Sequence, residues 1–217
     1  MIYDDIALLC EKYGARRAVL FGSRARKDNQ ENSDIDVAIY EMPPQNHAEF
    51  AFEIEELDSL LGIDIVHIRH TTDEALLQNI QRDGVIIMDK FIDKRDKFCK
   101  AIDRLSEAIE ICKHDNTSLI RDGLIQRFEF TTELAWKTTR EKLLDEGFVD
   151  INTPKNVMKK AFFVGLITDE KKWLNLLNER NQTSHLYDED VAEQICENIQ
   201  TQYLQAFEDL LSKLSQS

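Results

Sequence analysis

The first 90 residues alternate between short apolar runs and stretches with helical spacing. Strands are expected at 16–21, 34–40, 63–68 and 84–88, where apolar residues are continuous or alternate with polar ones. Amphipathic spacing predicts helices over 3–13, 47–61 and 73–82, and the second follows a chain break at Met42-Pro43-Pro44. This mixture predicts a small domain that combines a sheet with helices.

From Phe91 onward the pattern is helical, with almost no strand signal. A single helical stripe is formed by Phe98, Ile102, Leu105, Ile109 and Cys112. Further helices are expected over 117–146 with a stop near Gly147, after Thr153-Pro154, around 173–177 and over 189–214. The chain is therefore predicted to be α+β, with an N-terminal α/β domain over 1–90 and an all-α antiparallel helical bundle over 91–217.

The candidate chemistry of the first domain begins at Gly22-Ser23, which directly follows a predicted strand. Ten residues later come Asp34 and Asp36, which project together because alternate residues of a strand share a face. Two close carboxylates repel each other, and Mg²⁺ with triphosphate oxygens is a cation that would relieve this. Gly22 lets backbone amides approach a phosphate, and Ser23 can donate to it. Asp64 adds a third carboxylate in an otherwise apolar strand.

Residues 15–66 resemble the nucleotidyltransferases of the polymerase-β superfamily, of the minimal (MNT) type. The pattern of that family is Gly-Ser-x10-Asp-x-Asp plus a later strand Asp, and every position is filled. The resemblance implies a mixed sheet with helices and Mg²⁺-dependent transfer of a nucleoside monophosphate from ATP, with pyrophosphate leaving. It implies catalytic, metal-binding carboxylates at Asp34, Asp36 and Asp64. From the residues themselves, Gly22 and Ser23 are the expected nucleotide contacts and Arg24 is a further candidate phosphate contact, with a solvated arginine as the alternative.

In the second domain the most informative segment is 180–187, which reads Arg-Asn-Gln-Thr-Ser-His-Leu-Tyr. On one continuous helix, Arg180 and His185 would lie about 140° apart around the helix axis, so their side chains would not converge. We therefore expect a junction between two helices, with Thr183 or Ser184 as the N-cap of the second, so that both side chains reach a shared cleft. On residue types alone, a capped turn in which Arg180 pairs with an acid is an equally good interpretation.

Residues 121–187 resemble the HEPN superfamily, and within it the group described as nucleotidyltransferase substrate-binding proteins. The likeness rests on Arg121-Asp122, Phe128-Glu129-Phe130, Trp136, Gly165-Leu166-Ile167, Trp173 and the ending Arg-x4-His-x-Tyr. In toxin–antitoxin pairs the resemblance implies a dimeric, metal-independent HEPN ribonuclease, which the MNT partner silences by adenylylating a tyrosine. By position, the ribonuclease residues are Arg180 and His185, the supporting residue is Asn181, and the acceptor is Tyr187.

The preferred hypothesis is a fused HEPN–MNT toxin–antitoxin protein that transfers AMP to Tyr187. His185 would act as general acid or base, Arg180 would stabilise the charge of the transition state, and AMP on Tyr187 would block both. The alternative is a nucleotidyltransferase for a small-molecule acceptor, with the bundle as a non-catalytic substrate-binding module. A third hypothesis, an inert nucleotide-binding regulator, is disfavoured because the three acids are correctly spaced.

The charge and composition limit the partners. Residues 1–90 carry 9 basic and 18 acidic side chains, and residues 91–217 carry 18 basic and 23 acidic ones. Because acidic side chains exceed basic ones in both parts, generic DNA binding is not expected. ATP, an RNA substrate and a second copy of the chain, paired through the bundle, are the expected partners. The four cysteines show no paired spacing, no apolar run approaches a membrane span, and no signal-peptide pattern is present, so we expect a cytoplasmic protein.

Overall fold

The computed structural model describes residues 2–183 and 189–216. It divides into two compact units, Met1–Lys90 and Phe91–Ser217. The first contains a four-stranded sheet with helices and the second is helical, which confirms the predicted α+β fold class. No helix in the described part of the chain combines the length and apolar composition needed to cross a membrane.

The sheet of the first unit is mixed, and its second strand lies inside it. The elements are α1 (Ile2–Lys12), β1 (Arg17–Phe21), α2 (Gly22–Arg26), β2 (Ile35–Tyr40), a 3-10 turn (Pro44–Asn46), α3 (His47–Glu55), β3 (Ile63–Ile68), α4 (Glu74–Asp83) and β4 (Val85–Asp89). The strand order is β3-β2-β1-β4, with β2 parallel to β3 and β1 antiparallel to both β2 and β4. Both neighbours of β2 are therefore strands.

The two faces of β2 pack against different helices. Val37 and Ile39 are buried in a cluster with residues of α1 and α3, whereas Ala38 is buried in a second cluster with Ile80 of α4. Because side chains alternate along a strand, Asp36 projects from the same face as Ala38. The α4 side of the sheet therefore carries Asp36, the acidic residue of β2.

The helix that the sequence predicts to reach Leu61 ends at Glu55, so that boundary was wrong. The chain beyond it is held by local hydrogen bonds: Ser59 Oγ accepts from the Leu61 N–H at 3.1 Å and lies 3.1 Å from the Leu61 carbonyl oxygen. Serine side chains that bond the backbone in this way compete with helix formation. The early stop lets the chain turn into β3.

The second unit consists of long helices around one core. They are α5 (Lys90–His114), α6 (Ser118–Asp145), α7 (Pro154–Phe163), α8 (Glu170–Gln182), α9 (Glu189–Asn198) and α10 (Leu204–Ser215), with a π-helical segment (Ile199–Tyr203) between the last two. The predicted stripe from Phe98 to Cys112 is buried, as expected. The helix expected over 189–214 is interrupted by the π-helical segment, which its apolar spacing did not indicate.

Candidate active site

Three aspartates meet where β2 and β3 begin. Asp36 and Asp64 are paired in the parallel register, and the N–H of Ile35 donates to the carbonyl oxygen of Gly62 at 2.8 Å. Directly paired residues of neighbouring strands share a face and are separated by about 4.8 Å, the strand spacing. Asp34 stands two residues before Asp36, and the geometry therefore groups all three carboxylates.

The charges of these carboxylates interact. Asp36 is half-buried, and its burial, followed by the charges of Asp64 and Asp34, raises the pKa of its carboxyl, while Arg26 acts in the opposite direction. Burial and like charges both disfavour an ionised carboxyl. The cluster therefore has an excess of negative charge that a bound cation would neutralise.

Two glycines make room for two of the carboxylates. Gly22 has φ of +73°, in the left-handed region, and a Cβ on it would lie 2.2 Å from Oδ2 of Asp36. A Cβ on Gly62 would lie 2.5 Å from Oδ1 of Asp34. Each carboxylate thus packs against a glycine Cα, and a larger residue at either position would displace it.

The predicted strand, Gly-Ser turn and helix are observed in that order. Helix α2 starts at Gly22 directly after β1, and Phe21 at its N-cap makes no side-chain hydrogen bond to the helix. The first N–H groups of a helix have no partner within the helix and favour a phosphate. This arrangement is compatible with the predicted nucleotide contacts of Gly22 and Ser23.

Arg24 has a role that the sequence did not suggest. Its guanidinium donates to the carbonyl oxygen of Ser33 through Nη2 at 2.7 Å and Nε at 2.9 Å. It also reaches the carbonyl oxygens of Glu31 and Asp34, each at 3.2 Å. The side chain expected to contact phosphate therefore holds the loop that leads into Asp34.

The three carboxylates could supply some of the ligands of a magnesium ion, but not a complete set of protein ligands. Within residues 2–183 and 189–216, no group of three or more His, Cys, Asp or Glu side chains is arranged to hold a metal ion by itself. Nucleotide-bound Mg²⁺ needs only one or two carboxylates, because phosphate oxygens and waters complete its shell. Burial, and after it the charges of Asp64 and Asp34, raise the pKa of Asp36, and such an ion would offset the cost of keeping this carboxyl ionised.

In the helical unit, Arg180 lies at the end of α8 and faces an acid on α6. Its Nη2 is 3.5 Å from Oε2 of Glu133, and the indole N–H of Trp136 donates to the same oxygen at 3.0 Å. Its Nη1 lies 3.3 Å from Oδ1 of Asn181. Burial favours a higher pKa for Glu133, but hydrogen bonds from Trp136 and Lys137 and the nearby cations lower it on balance. Of the two interpretations of Arg180, pairing with an acid is observed.

Thr183, one of the two N-cap candidates, lies at the end of α8, and the helix start that it was expected to cap falls outside the described residues. Thr183 ends α8 as its C-cap, and its hydroxyl lies within hydrogen-bonding distance of the Glu129 carboxylate and 2.7 Å from the carbonyl oxygen of Arg180. Ser184, the other capping candidate, lies outside the described residues, as do His185 and Tyr187. The predicted meeting of Arg180 with His185 therefore stays a prediction.

Sequence reasoning missed a cavity of about 420 Å³ between α6, α7 and α8. Its lining comes from three helices that are separate in sequence, so no local motif marks it. The only sequence signal is the row of asparagines on α8, spaced by three residues, at Asn175, Asn178 and Asn181. Residues at this spacing share one face of a helix.

Family models match both units. Residues 5–93 match the polymerase beta nucleotidyltransferase family, so the first unit is a nucleotidyltransferase domain. Residues 93–216 match the family described as nucleotidyltransferase substrate binding protein like. The second match covers more than half of the chain, and the protein belongs to that family.

One relative is the probable ribonuclease HepT of Haemophilus influenzae, which is 36% identical over 86 residues. The match covers 35% of this chain and 57% of HepT, so this chain spans little more than half the length of that relative. Among solved structures, the protein ttk003001694 of Thermus thermophilus aligns with a TM-score of 0.50 and 31% identity, over 54% of this chain and 98% of that one. HI0074 of Haemophilus influenzae, described as a substrate binding domain of a nucleotidyltransferase, aligns with a TM-score of 0.49 and 28% identity. This alignment covers 56% of the present chain and 98% of HI0074.

Proposed function

We propose that this protein is a fused HEPN–MNT toxin–antitoxin protein whose first unit transfers AMP from ATP to Tyr187. The modification silences a metal-independent ribonuclease built on Arg180 and His185. The observation that carries the proposal is the grouping of Asp34, Asp36 and Asp64 at the starts of β2 and β3. Asp36 is half-buried and Asp34 and Asp64 are exposed, and carboxylates that repel one another beside a Gly-Ser turn are suited to a metal–triphosphate complex.

On the donor side, each residue has a separate task. Asp34 and Asp36 would hold Mg²⁺, which supplies charge neutralisation on the triphosphate when it is bound. Ser23, at the start of α2, fixes the phosphates. Asp64 holds a second ion or accepts the proton of the tyrosine phenol, which needs such help because its ordinary pKa is about 10.

On the acceptor side, Arg180 and His185 would cleave RNA without a metal. Histidine is the residue type whose ordinary pKa suits proton transfer at neutral pH, so His185 would serve as general acid or base, while Arg180 would stabilise the charge of the transition state, with Asn181 in support. The name of the relative, probable ribonuclease HepT, supports this assignment. AMP on Tyr187 adds a bulky anion that captures Arg180 and blocks the cleft.

The active ribonuclease is proposed to be a homodimer paired through the helical unit, because the HEPN resemblance implies paired sites. Light scattering at micromolar concentration should give twice the mass of the 25.3 kDa chain. A monomer under these conditions would exclude the paired arrangement.

One observation favours a second candidate, transfer of AMP to a small-molecule acceptor. The cavity of about 420 Å³ in the helical unit is within the range of small-molecule sites, about 300–1,000 Å³. In this case the helical unit would be a non-catalytic binding module, and Tyr187 would remain unmodified in the presence of ATP.

Paired variants test the two activities separately. The double variant Asp34→Ala with Asp36→Ala should lose adenylylation and be purified unmodified, so it should cleave RNA. Adding His185→Ala to that background should abolish the cleavage. Exposed residues of the same types provide controls: Asp58→Ala and His114→Ala should leave both activities unchanged. An unmodified double variant that cleaves no RNA would contradict the ribonuclease assignment.

A further inference from the structure

A second cavity lies in the first unit, outside the ends of the parallel strands β2 and β3. Its volume is about 770 Å³, within the range of small-molecule sites, about 300–1,000 Å³. The carboxyl ends of parallel strands are a common place for ligands in α/β proteins. Tyr40, which lines the cavity, is four residues beyond Asp36, or about 13 Å along an extended strand. This β2–β3 cavity is therefore separate from the three aspartates at the opposite strand ends.

The walls of the β2–β3 cavity are mainly apolar. Ile39 and Ile68 come from the ends of the two strands, Met42 from the turn after β2, and Leu77 from α4. Ile39 and Met42 are buried, and Ile68 and Leu77 are half-buried. Apolar walls with a few converging polar groups are typical of sites for small organic molecules. The cavity is therefore suited to a ligand with an apolar body.

Arg69 gives this cavity one uncompensated positive charge. It directly follows β3, and its guanidinium forms no ion pair within residues 2–183 and 189–216. Its backbone is fixed by Thr72, whose Oγ1 accepts from the Arg69 N–H at 2.8 Å and whose N–H donates to the Arg69 carbonyl oxygen at 3.0 Å. The acid in the lining, Glu41, is already compensated, because its Oε2 lies 3.2 Å from Nη1 of Arg16. A free guanidinium of this kind is well matched to a carboxylate, which it can bind through two parallel N–H groups.

His67 supplies a second donor close to Arg69. Its ring stacks on that of His47, with the ring centroids 3.8 Å apart and the planes 6° apart. The ring of His47 is held in turn, because its Nε2 donates to the carbonyl oxygen of Met42 at 3.2 Å. The ring of His67 makes no hydrogen bond to any residue that the structure describes. Burial, followed by His47 and Arg69, lowers the pKa of His67, so near pH 7 its ring is neutral and presents one N–H.

The backbone that leads from β2 into the cavity lining is strained. Glu41 has φ of +55°, a left-handed conformation that residues other than glycine rarely adopt. Strained residues persist where the surrounding structure holds them, and they cluster at ligand sites. The ion pair with Arg16 holds this one. The strain therefore supports a binding role for this end of the sheet.

We propose that the β2–β3 cavity binds a small organic monocarboxylate with an apolar body. Arg69 and the N–H of His67 bind the carboxylate, and Met42, Ile68 and Leu77 contact the body. A carboxylate fits better than a phosphate monoester, which carries about 1.5 to 2 negative charges at pH 7, because the cavity compensates only one. Occupancy requires neither ATP nor Mg²⁺, so this site goes beyond the proposed transfer reaction.

Histidine NMR signals give a direct test, because the chain has five histidines and three of them line the cavity. The full-length protein, labelled at its histidine rings and kept in EDTA without nucleotide, is titrated with phenylacetate. The ring signals of His47 and His67 should shift saturably, while the signal of His114, an exposed residue of the second unit, should not move. Hexanoate should give the same pattern, because the apolar walls accept an aliphatic body as well as an aromatic one.

A neutral analogue and paired variants test the role of charge. Phenylacetamide, which has the same body without the charge, should bind at least tenfold more weakly than phenylacetate. Arg69→Ala should remove this difference by weakening phenylacetate about tenfold, the effect of losing a charged hydrogen bond, and leaving phenylacetamide unchanged. Arg82→Ala, which replaces an exposed arginine of the same unit outside the lining, should retain the full difference. Melting temperatures of both variants verify that they are folded.

A further variant tests the second donor. His67→Phe keeps a ring beside His47 and removes the N–H, so it should weaken phenylacetate while the signal of His47 still reports binding. Phenyl phosphate should bind the parent protein more weakly than phenylacetate does.

The proposal is overturned if phenylacetate and hexanoate leave the signals of His47 and His67 unchanged at millimolar concentration. It is also overturned if Arg69→Ala keeps the preference of the parent for the acid over the amide. Displacement of phenylacetate by ATP with Mg²⁺ would place the ligand at the three aspartates and overturn it as well. Because the titration itself contains no nucleotide, its failure would leave the proposed transfer reaction unaffected, and failure of the transfer reaction would leave this binding result intact.

Discussion

The carboxylate of Asp36 packs against the α-carbon of Gly22. A Cβ on Gly22 would lie 2.2 Å from Oδ2 of Asp36, and the residue before Gly22, Phe21, is paired with Asp36 in the antiparallel register. The Gly-Ser turn and the Asp-x-Asp pair are therefore one structural unit formed across β1 and β2. The position of the Asp36 carboxylate depends on the absence of a side chain at Gly22, at the end of the neighbouring strand.

Gly22→Ala should reduce nucleotidyl transfer by about 10²-fold or more. The new methyl group displaces the Asp36 carboxylate, and a displacement of about 1 Å at a reacting centre costs on this order. The measurement is the initial rate of AMP incorporation at saturating ATP and Mg²⁺.

The control for that variant is Gly147→Ala. Gly147 has φ of +85°, and nothing lies within 4 Å of a Cβ placed on it. Alanine there has the same left-handed backbone strain, about 1–2 kcal/mol, without crowding a carboxylate. Equal loss of transfer in both variants would show that backbone strain alone is responsible.

Asp36→Asn should stabilise the fold at neutral pH while abolishing transfer. The pKa of Asp36 is raised above its ordinary value of 3.8, so the folded state loses stability as pH rises from that value through the raised one. At pH values above the raised pKa, the carboxyl of Asp36 is ionised and both its burial and the charges of Asp64 and Asp34 destabilise the folded state. Asparagine carries no charge and removes this cost. We expect a gain of about 0.2–1 kcal/mol, which is the scale of partly exposed charge interactions.

Thermal denaturation across pH checks this prediction. The advantage of Asp36→Asn should be present at neutral pH and disappear in acid, where the carboxyl of the parent is protonated in both folded and unfolded states. An advantage of equal size at all pH values would mean that charge is not its cause.

Arg24→Ala should lower stability by about 1.5 kcal/mol, because it removes charged hydrogen bonds to the loop that ends at Asp34. The rate of transfer at saturating ATP should also fall, because Asp34 is no longer positioned. The neighbouring Arg26→Ala, which removes an exposed ion pair with Asp28, should change stability by less than about 0.5 kcal/mol. A raised KM for ATP with unchanged stability would instead support a phosphate contact for Arg24.

Thr183→Val should destabilise the helical unit by about 1–3 kcal/mol. The substitution keeps the shape of a buried side chain but leaves the Glu129 carboxylate without the hydroxyl. Denaturant unfolding measures the loss, and Thr117→Val is the control, because Thr117 is exposed and makes no side-chain capping bond. Equal effects of the two variants would show that the contact with Glu129 contributes nothing.

The sequence was sufficient to predict the strands, and the spacing of two residues between Asp34, just before β2, and Asp36, within it, was sufficient to predict these two carboxylates as a pair. The register that joins Asp36 to Asp64 could not be predicted from spacing. It depends on the parallel pairing of β2 with β3, two strands that the chain connects through α3. The family resemblance, whose pattern includes a later strand Asp, grouped Asp64 with the other two carboxylates, which the local sequence pattern could not do.

Other features depend on the path of the chain through space. Arg24 bonds backbone carbonyls whose positions follow from the loop between α2 and β2, so its residue type indicated only a cation. Thr183 has a side chain suited to an N-cap, but a partner on α6, 54 residues away in sequence, determines its role. The cavity of about 420 Å³ is likewise assembled from three helices.

Self-adenylylation at Tyr187 can be measured as a change in the intact mass of the protein. The intact mass of the purified, verifiably unmodified protein is measured by mass spectrometry before and after incubation with ATP and Mg²⁺. The Asp36→Ala and Tyr187→Phe variants are measured in the same way. The mass of the parent protein should rise in AMP-sized steps, and the masses of both variants should not change. An unchanged mass in the parent protein, despite bound ATP, would contradict self-adenylylation and indicate a separate acceptor.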